Sequence, residues 1–276
     1  MLKLGFNEAT CKENSSVERD LMLCEKYGYD FIELRLDMLK EYLKTHTMDD
    51  LKAFFASSHV KPFAFNSIEN INFCTPAEWD TLVELFTFGC EIAQQIGNPY
   101  LIVVPTMTST VCTKNEKEVF DDSVRVLNQL ADIAEPYGVK LSFEPIGDRR
   151  WCVNSVRQAL EIVEAVNRPS VGLTVDCINV YLHDKCADVD FIRKIPTDKL
   201  FVYHINDCED LPLGILDHCH RLMPGLGVIP VQQVSDAVKA VGYDGPACLE
   251  LFRPEYWRMD AEAVVKLGAD TTRPFL

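Results

Sequence analysis

The feature that most limits how this chain can fold is a recurring junction, in which an amphipathic stretch stops at a glycine and an apolar run follows. It occurs in KYGYDFIELR, QIGNPYLIVVP, PYGVKLSFEP and AVGYDGPACLEL. A glycine there ends a helix in a left-handed conformation that residues with a Cβ avoid, and the apolar run behind it reads as a buried strand. Ahead of one junction Phe120, Val124, Leu127, Ala131 and Ala134 step at helical spacing, which predicts a helix. Ser15, three residues before Glu18, gives a capping-box pattern ahead of a helix that sets Val17, Leu21 and Cys24 on one face. Strands are expected to start near Lys3, Tyr29, Pro62, Tyr100, Lys140, Val171, Leu200 and Pro246, with helical stretches between most of them.

Strand and helix that alternate about eight times imply βαβ units, right-handed crossovers and a parallel sheet, and eight units close into an α/β barrel of the (β/α)8 TIM type. An open doubly wound sheet is the rival. It is disfavoured because GFNEAT, not a Gly-x-Gly-x-x-Gly run, follows the first strand. No Pro-, Gly- or Ser-rich linker divides the chain, so residues 1–276 are expected to form one domain.

Composition narrows the functions. With 42 acidic against 27 basic residues and a formal net charge of −15, the surface field would repel a phosphate backbone, so no nucleic-acid partner is expected. No apolar window is long enough to span a bilayer and the N-terminus lacks a signal-peptide core, so no membrane association and a cytoplasmic location are expected. The 11 cysteines stand singly without a Cys-x-x-Cys pair, which favours reduced, buried side chains over a disulfide framework or a zinc knuckle. The run HCH, His218–His220, reads as a solvated loop rather than a metal motif.

Four strand candidates carry a metal-ligand side chain near the end: Glu144 in KLSFEPIG, Asp176 in GLTVDCIN, His204 in LFVYHIND and Glu250 in PACLELFRPEYW. Alternate residues of a strand face opposite sides. Counting back by two from these positions gives Ser142, Thr174, Val202 and Cys248, a small or polar face suited to a barrel interior. The opposite face holds Leu141, Phe143, Leu173, Val175, Phe201, Tyr203, Leu249 and Leu251, suited to packing under helices. On the early strands Ile32, Leu34, Phe63 and Phe65 are expected to face out, and Glu33, Arg35, Ala64 and Asn66 in. Active sites of such barrels lie at the C-terminal strand ends.

Three carboxylates and an imidazole converging unpaired in a low-dielectric mouth would repel one another, so one bound divalent cation is predicted at Glu144, Asp176, His204 and Glu250. The oxygen-rich donor set suits Mn²⁺, Mg²⁺, Co²⁺ or Zn²⁺. The simpler alternative is that each acid is separately satisfied by an ion pair or a helix N-cap.

With RLMPGLG after the seventh strand, this ordered ligand set resembles the xylose isomerase-like TIM barrels, over essentially the whole chain. FNEAT, LCEKYGYDFIE, DIAEPYGVK, YHINDCED and ELFRPEYW are similar to its inosose isomerase branch. The resemblance implies a single metal at those four residues, a small-molecule polyol ketone as substrate, and movement of its carbonyl through an enediolate, with Glu144 and Glu250 as catalytic acid and base. It further implies that Arg221 donates to a substrate oxygen, a surface ion pair being the alternative. Asn179 stands three residues after Asp176, where the family carries a histidine; an amide there hydrogen-bonds a hydroxyl but carries no proton. His183 is a possible replacement for it. Asn7, Glu33, Arg35 and Asn66 are expected to line the pocket, unless Glu33 and Arg35 form a structural pair. Asp207 is expected to orient His204 from behind the metal or to cap a helix, and Arg253 or Trp257 to close the mouth. A ketose 3-epimerase or inosose dehydratase is the alternative activity. An endonuclease IV-like phosphodiesterase would need further His ligands, and a non-catalytic sugar-binding barrel is the remaining reading.

Overall fold

The computed structural model of the protein describes residues 1–107 and 113–276. Eight parallel strands close into a barrel in chain order: β1 Lys3–Asn7, β2 Phe31–Arg35, β3 Lys61–Ile68, β4 Tyr100–Val103, β5 Lys140–Phe143, β6 Val171–Asp176, β7 Leu200–Ile205 and β8 Pro246–Leu249, with β8 beside β1. No rival open sheet remains, because closure pairs both edges.

The helical layer follows the glycine junctions. Helix α1, Val17–Tyr27, ends at Gly28 with φ 71°, and α2, Pro76–Ile96, ends at Gly97 with φ 75°. Helix α3, Glu116–Ala134, buries Val119, Val126, Leu127, Leu130, Ala131 and Ala134 on the barrel, while Phe120 and Val124 sit at the edge of that stripe. The cap of α1 is Ser16, whose hydroxyl accepts from the Arg19 N–H; Ser15 stands one residue outside. Val17, Leu21 and Cys24 are buried on one face as expected.

Inside the barrel, the predicted parity holds toward the C-terminal ends: Ser142 and Thr174 hydrogen-bond across the interior at 2.7 Å, and Val202 and Cys248 belong to the inner apolar cluster. Two phenylalanines depart from it. Phe63 and Phe201, expected on the outer face, belong to the inner cluster. Each is the extra residue of a register shift: Ile32 pairs with Pro62 and Glu33 with Ala64, and Leu173 pairs with Leu200 and Thr174 with Val202. A bulge restarts the alternation, so counting by two fails across it. Phe31, Phe63, Tyr100 and Phe201 then stack edge to face or face to face, with centroids 5.1–5.5 Å apart, and plug the barrel below the polar mouth.

Two helices position the mouth. Helix α4, Val156–Val166, follows β5, and α5, Cys177–Asp184, starts immediately after β6 with Asp176 as its N-cap. After β7 the chain makes a two-residue antiparallel ribbon, Asp207–Cys208 with Arg221–Leu222, before α6, Val231–Ala240.

Candidate metal centre and substrate cavity

Glu144, Asp176, His204 and Glu250 come together at the C-terminal mouth, all buried, with one donor atom from each lying within 4.8 Å of the others. Three consecutive strands and the neighbour of the last supply them, so the convergence is a direct product of strand order.

The orientation of His204 tests whether a cation fits. Its Nε2–H donates to Glu33 Oε2 at 2.9 Å, which leaves Nδ1 facing Glu250 at 3.2 Å, Glu144 at 3.4 Å and Asp176 at 3.6 Å. Nδ1 has no hydrogen bond of its own. A lone pair surrounded by three carboxylates is repulsive unless a proton or a cation stands between them. The donor set therefore fits a divalent ion bound by Nδ1 and three carboxylate oxygens.

Without that ion, protons take its place. Burial opposes charge on His204, yet Glu250, Glu33 and Glu144 hold its imidazole well above the usual range. Burial pushes the Glu144 carboxyl up to about 7 against the pull of His204. Burial also opposes ionisation of Glu250, but His204 and Arg221 keep it well below the usual carboxylate range.

Each ligand is held by neighbours. Asp176 divides its work: Oδ1 accepts from the N–H groups of Ile178 and Asn179 at the start of α5, while Oδ2 faces His204. The N-cap alternative raised for this acid thus coexists with the metal-facing oxygen. Asn206 donates to both Asp176 oxygens at 3.2 Å. Glu250 Oε1 accepts from Asn66 at 2.6 Å and Asn7 at 3.2 Å, and Oε2 from Arg221 at 2.5 Å. Asn179 donates to Glu144 Oε1 at 3.1 Å and accepts from the Gly147 N–H at 3.2 Å. A Cβ on Gly147 would stand 1.7 Å from the Asn179 carbonyl oxygen, so only glycine lets the segment after β5 approach helix α5 this closely.

A cavity of about 90 Å³ opens above the cluster, lined by Asn66, Glu144, Trp151, His218, Arg221 and Glu250 among others. Arg221 is buried and also reaches Asp176 Oδ2 at 3.1 Å, so it is no surface ion pair. Asn7 and Glu33 lie one layer below the cavity, bonded to each other at 2.7 Å. Arg35 pairs with Asp37, not with Glu33. His183 borders a separate hollow of about 110 Å³ behind Asn179, not this cavity.

Three expectations change place. Glu33, not Asp207, orients His204. Asp207 accepts from the N–H groups of Cys208, Gly225, Gly227 and Ile229 and so folds the loop that delivers Arg221 to the mouth. Arg253 braces that loop through Glu209 and the Arg221 carbonyl, and the Trp257 indole donates to the Ala9 carbonyl, so neither covers the cavity. Reading the sequence missed Asn206, which was findable two residues beyond His204 on the same face, and His218, whose HCH context looked solvated. It also missed Trp151 and Phe252, for which no sequence signal stands out.

An all-parallel barrel with an acidic metal-ready mouth defines a class, and comparison gives it a name: the family profile of xylose isomerase-like TIM barrels matches residues 21–274, and the chain belongs to that family. Within it, the chain is 41% identical to an inosose isomerase of Halalkalibacterium halodurans, over 98% of this chain and 95% of that one. It is 40% identical to an inosose isomerase of Bacillus subtilis, over 98% and 96%. The crystal structure of IOLI protein with a binding zinc atom superposes with a TM-score of 0.94 at 39% identity, covering 99% of this chain and 98% of that one.

Proposed function

We propose that this protein is a divalent-metal-dependent isomerase that moves a carbonyl between adjacent carbons of a keto-inositol in inositol catabolism. The observation that carries the reading is His204 Nδ1 aimed at three buried carboxylates, in a chain about 40% identical, nearly end to end, to inosose isomerases. Glu144, Asp176, His204 and Glu250 would hold the ion, and the zinc of the similar IOLI structure accords with that donor set. When bound, the ion supplies Lewis-acid stabilisation of charge on the ketone and the neighbouring hydroxyl oxygen.

The chain's own residues then move protons. A carboxylate takes the proton from the carbon bearing the hydroxyl; the electron pair becomes the C=C bond of an enediol as the old carbonyl oxygen gains a proton. A proton returned to the former carbonyl carbon, with loss of the O–H proton from the other oxygen, leaves the ketone one carbon along. Glu144 and Glu250 flank the cavity for this work. Glu250 is tied by Asn7, Asn66 and Arg221, whereas Glu144 has Asn179 as its side-chain amide donor and is the readier to exchange a proton. Arg221, bonded to Glu250 at the wall, lines the cavity and is placed to meet a substrate oxygen as well. A cytoplasmic setting accords with ten described cysteines that are all free.

The test is metal content on purified protein together with exchange of the α-hydrogen of 2-keto-myo-inositol in deuterated water. About one metal per chain and exchange in the wild type, both lost or reduced in Glu144→Gln, are expected. Metal with turnover only of ketohexoses would replace the inosose reading by an epimerase, and no metal after reconstitution would overturn the site.

A further inference from the structure

His218 lines the cavity beside Arg221, yet the chemistry above gives it no task. Its ring stands between Trp151, with centroids 5.9 Å apart, and Phe252, at 6.2 Å. The residue is half-buried, but its Nε2 is shielded from water and meets no hydrogen-bond partner. A polar atom left unpaired in that way is costly, and a ligand is the natural partner for one on a cavity wall.

The other ring nitrogen fixes what Nε2 can do. Arg221 Nη2 lies 3.3 Å from His218 Nδ1, and a guanidinium has donors only, so Nδ1 accepts. A neutral imidazole that accepts at Nδ1 carries its hydrogen on Nε2. Burial and the Arg221 charge hold the imidazole down to about 4, against Asp176, Asp217 and Glu250, so the ring is neutral at physiological pH. Meanwhile the Asn179 side chain is committed to Glu144 and Gly147, and the Asn66 amide nitrogen to Glu250.

Resting on the isomerase reading, we propose that His218 is a substrate-binding hydrogen-bond donor: its Nε2–H meets an oxygen of the polyol ketone in the cavity, and Arg221 locks that donor sense. A neutral N–H suits a carbonyl or hydroxyl oxygen without adding a second fixed cation next to Arg221. The role is binding, since an imidazole with no free lone pair takes no proton from carbon.

Two measurements test this. In ¹⁵N-histidine-labelled protein, with the His218 signal assigned by its loss in His218→Phe, the neutral Nε2–H tautomer is expected at pH 7 and its N–H signal is expected to shift on adding 2-keto-myo-inositol. An imidazolium, the Nδ1–H tautomer, or no response to a ketone that the enzyme turns over would overturn the proposal. In kinetics, His218→Phe keeps the ring between its aromatic neighbours and removes the donor, and His218→Asn keeps an acceptor for Arg221 but falls short of the cavity; each is expected to raise KM about tenfold with kcat little changed. His218→Gln, whose amide N–H has the longer reach, is expected to recover most of that loss, with about one metal per chain in all three. Wild-type kinetics in His218→Phe, or no difference between Gln and Phe, would sink the role while wild-type turnover stands. A wild type that neither binds nor turns over the ketone would instead overturn the isomerase reading, and with it the ligand named for His218.

Discussion

Two regions of this molecule bury acids, and they solve the problem in opposite ways. At the barrel mouth Glu144, Asp176, Glu250 and Glu33 surround His204 and Arg221, so charge is answered by charge and by a place for a cation. Beneath the N-terminal turn, Glu8 and Asp20 are equally buried, but among the described residues no salt bridge to a cationic side chain reaches either of them. Glu8 accepts the Arg35 backbone N–H through Oε2 and leaves Oε1 unpaired; neither Asp20 oxygen has a hydrogen bond among the described residues. Burial raises the Asp20 carboxyl to about 8, against the smaller pull of Arg19, and burial raises Glu8 well above its usual range. Burial thus favours the neutral form of the N-terminal pair, whereas at the mouth Glu250 is kept ionised by His204 and Arg221 beside a Glu144 poised near 7. Burial alone does not make an acid functional; convergence on a common cation does.

The comparison can be broken from either side. The largest effect is expected at the mouth: Glu144→Gln or Glu250→Gln should lower turnover by about 10³-fold or more and empty the metal site, measured by single-turnover exchange and metal analysis. Gly147→Ala should cost about 10²-fold in kcat/KM, because the new Cβ displaces Asn179 and with it Glu144, while circular dichroism stays that of the wild type. At the other region, Asp20→Asn should leave turnover and metal content unchanged and alter stability with pH. The Asp20 carboxyl is raised on folding, so its contribution is complete below the ordinary carboxylate range and is lost as pH rises through about 8. The unfolding free energy of the variant, from denaturant titration, should therefore gain on that of the wild type from about pH 4 to pH 8, by roughly 2 kcal/mol or more in total. A constant gap would mean that Asp20 is ionised in the fold. Metal affinity should also depend on pH: an ion must displace a proton from Glu144, held near 7, and from His204, so affinity should fall at least about tenfold per pH unit below that point. Titration with Zn²⁺ between pH 5 and pH 8 measures the slope.

Much of the mouth was legible because it obeys local rules. Glu144, Asp176, His204 and Glu250 each lie at or next to the end of an apolar run, and strand periodicity sends their side chains inward. Phe63 and Phe201 were misread because a bulge is decided by the neighbouring strand and leaves no mark in the strand's own pattern. Asp207 and Glu33 exchanged roles for a similar reason. Asp207 is near His204 in sequence, but its carboxylate turns back to four backbone N–H groups, while Glu33 arrives from the far side of the closed barrel.

By itself, then, the sequence determined the alternating units, their closure into a barrel and the inward-facing ligands, since all of these follow from spacing along the chain. The tertiary structure alone decided that Arg221 enters the mouth, that His218 turns one nitrogen to Arg221 and leaves the other unpaired on the cavity wall, and that Glu8 and Asp20 are buried away from the mouth. Those outcomes depend on which charges and hydrogen-bond partners meet across loops and strands far apart in the chain, and burial magnifies each such meeting by removing the water that would otherwise screen it.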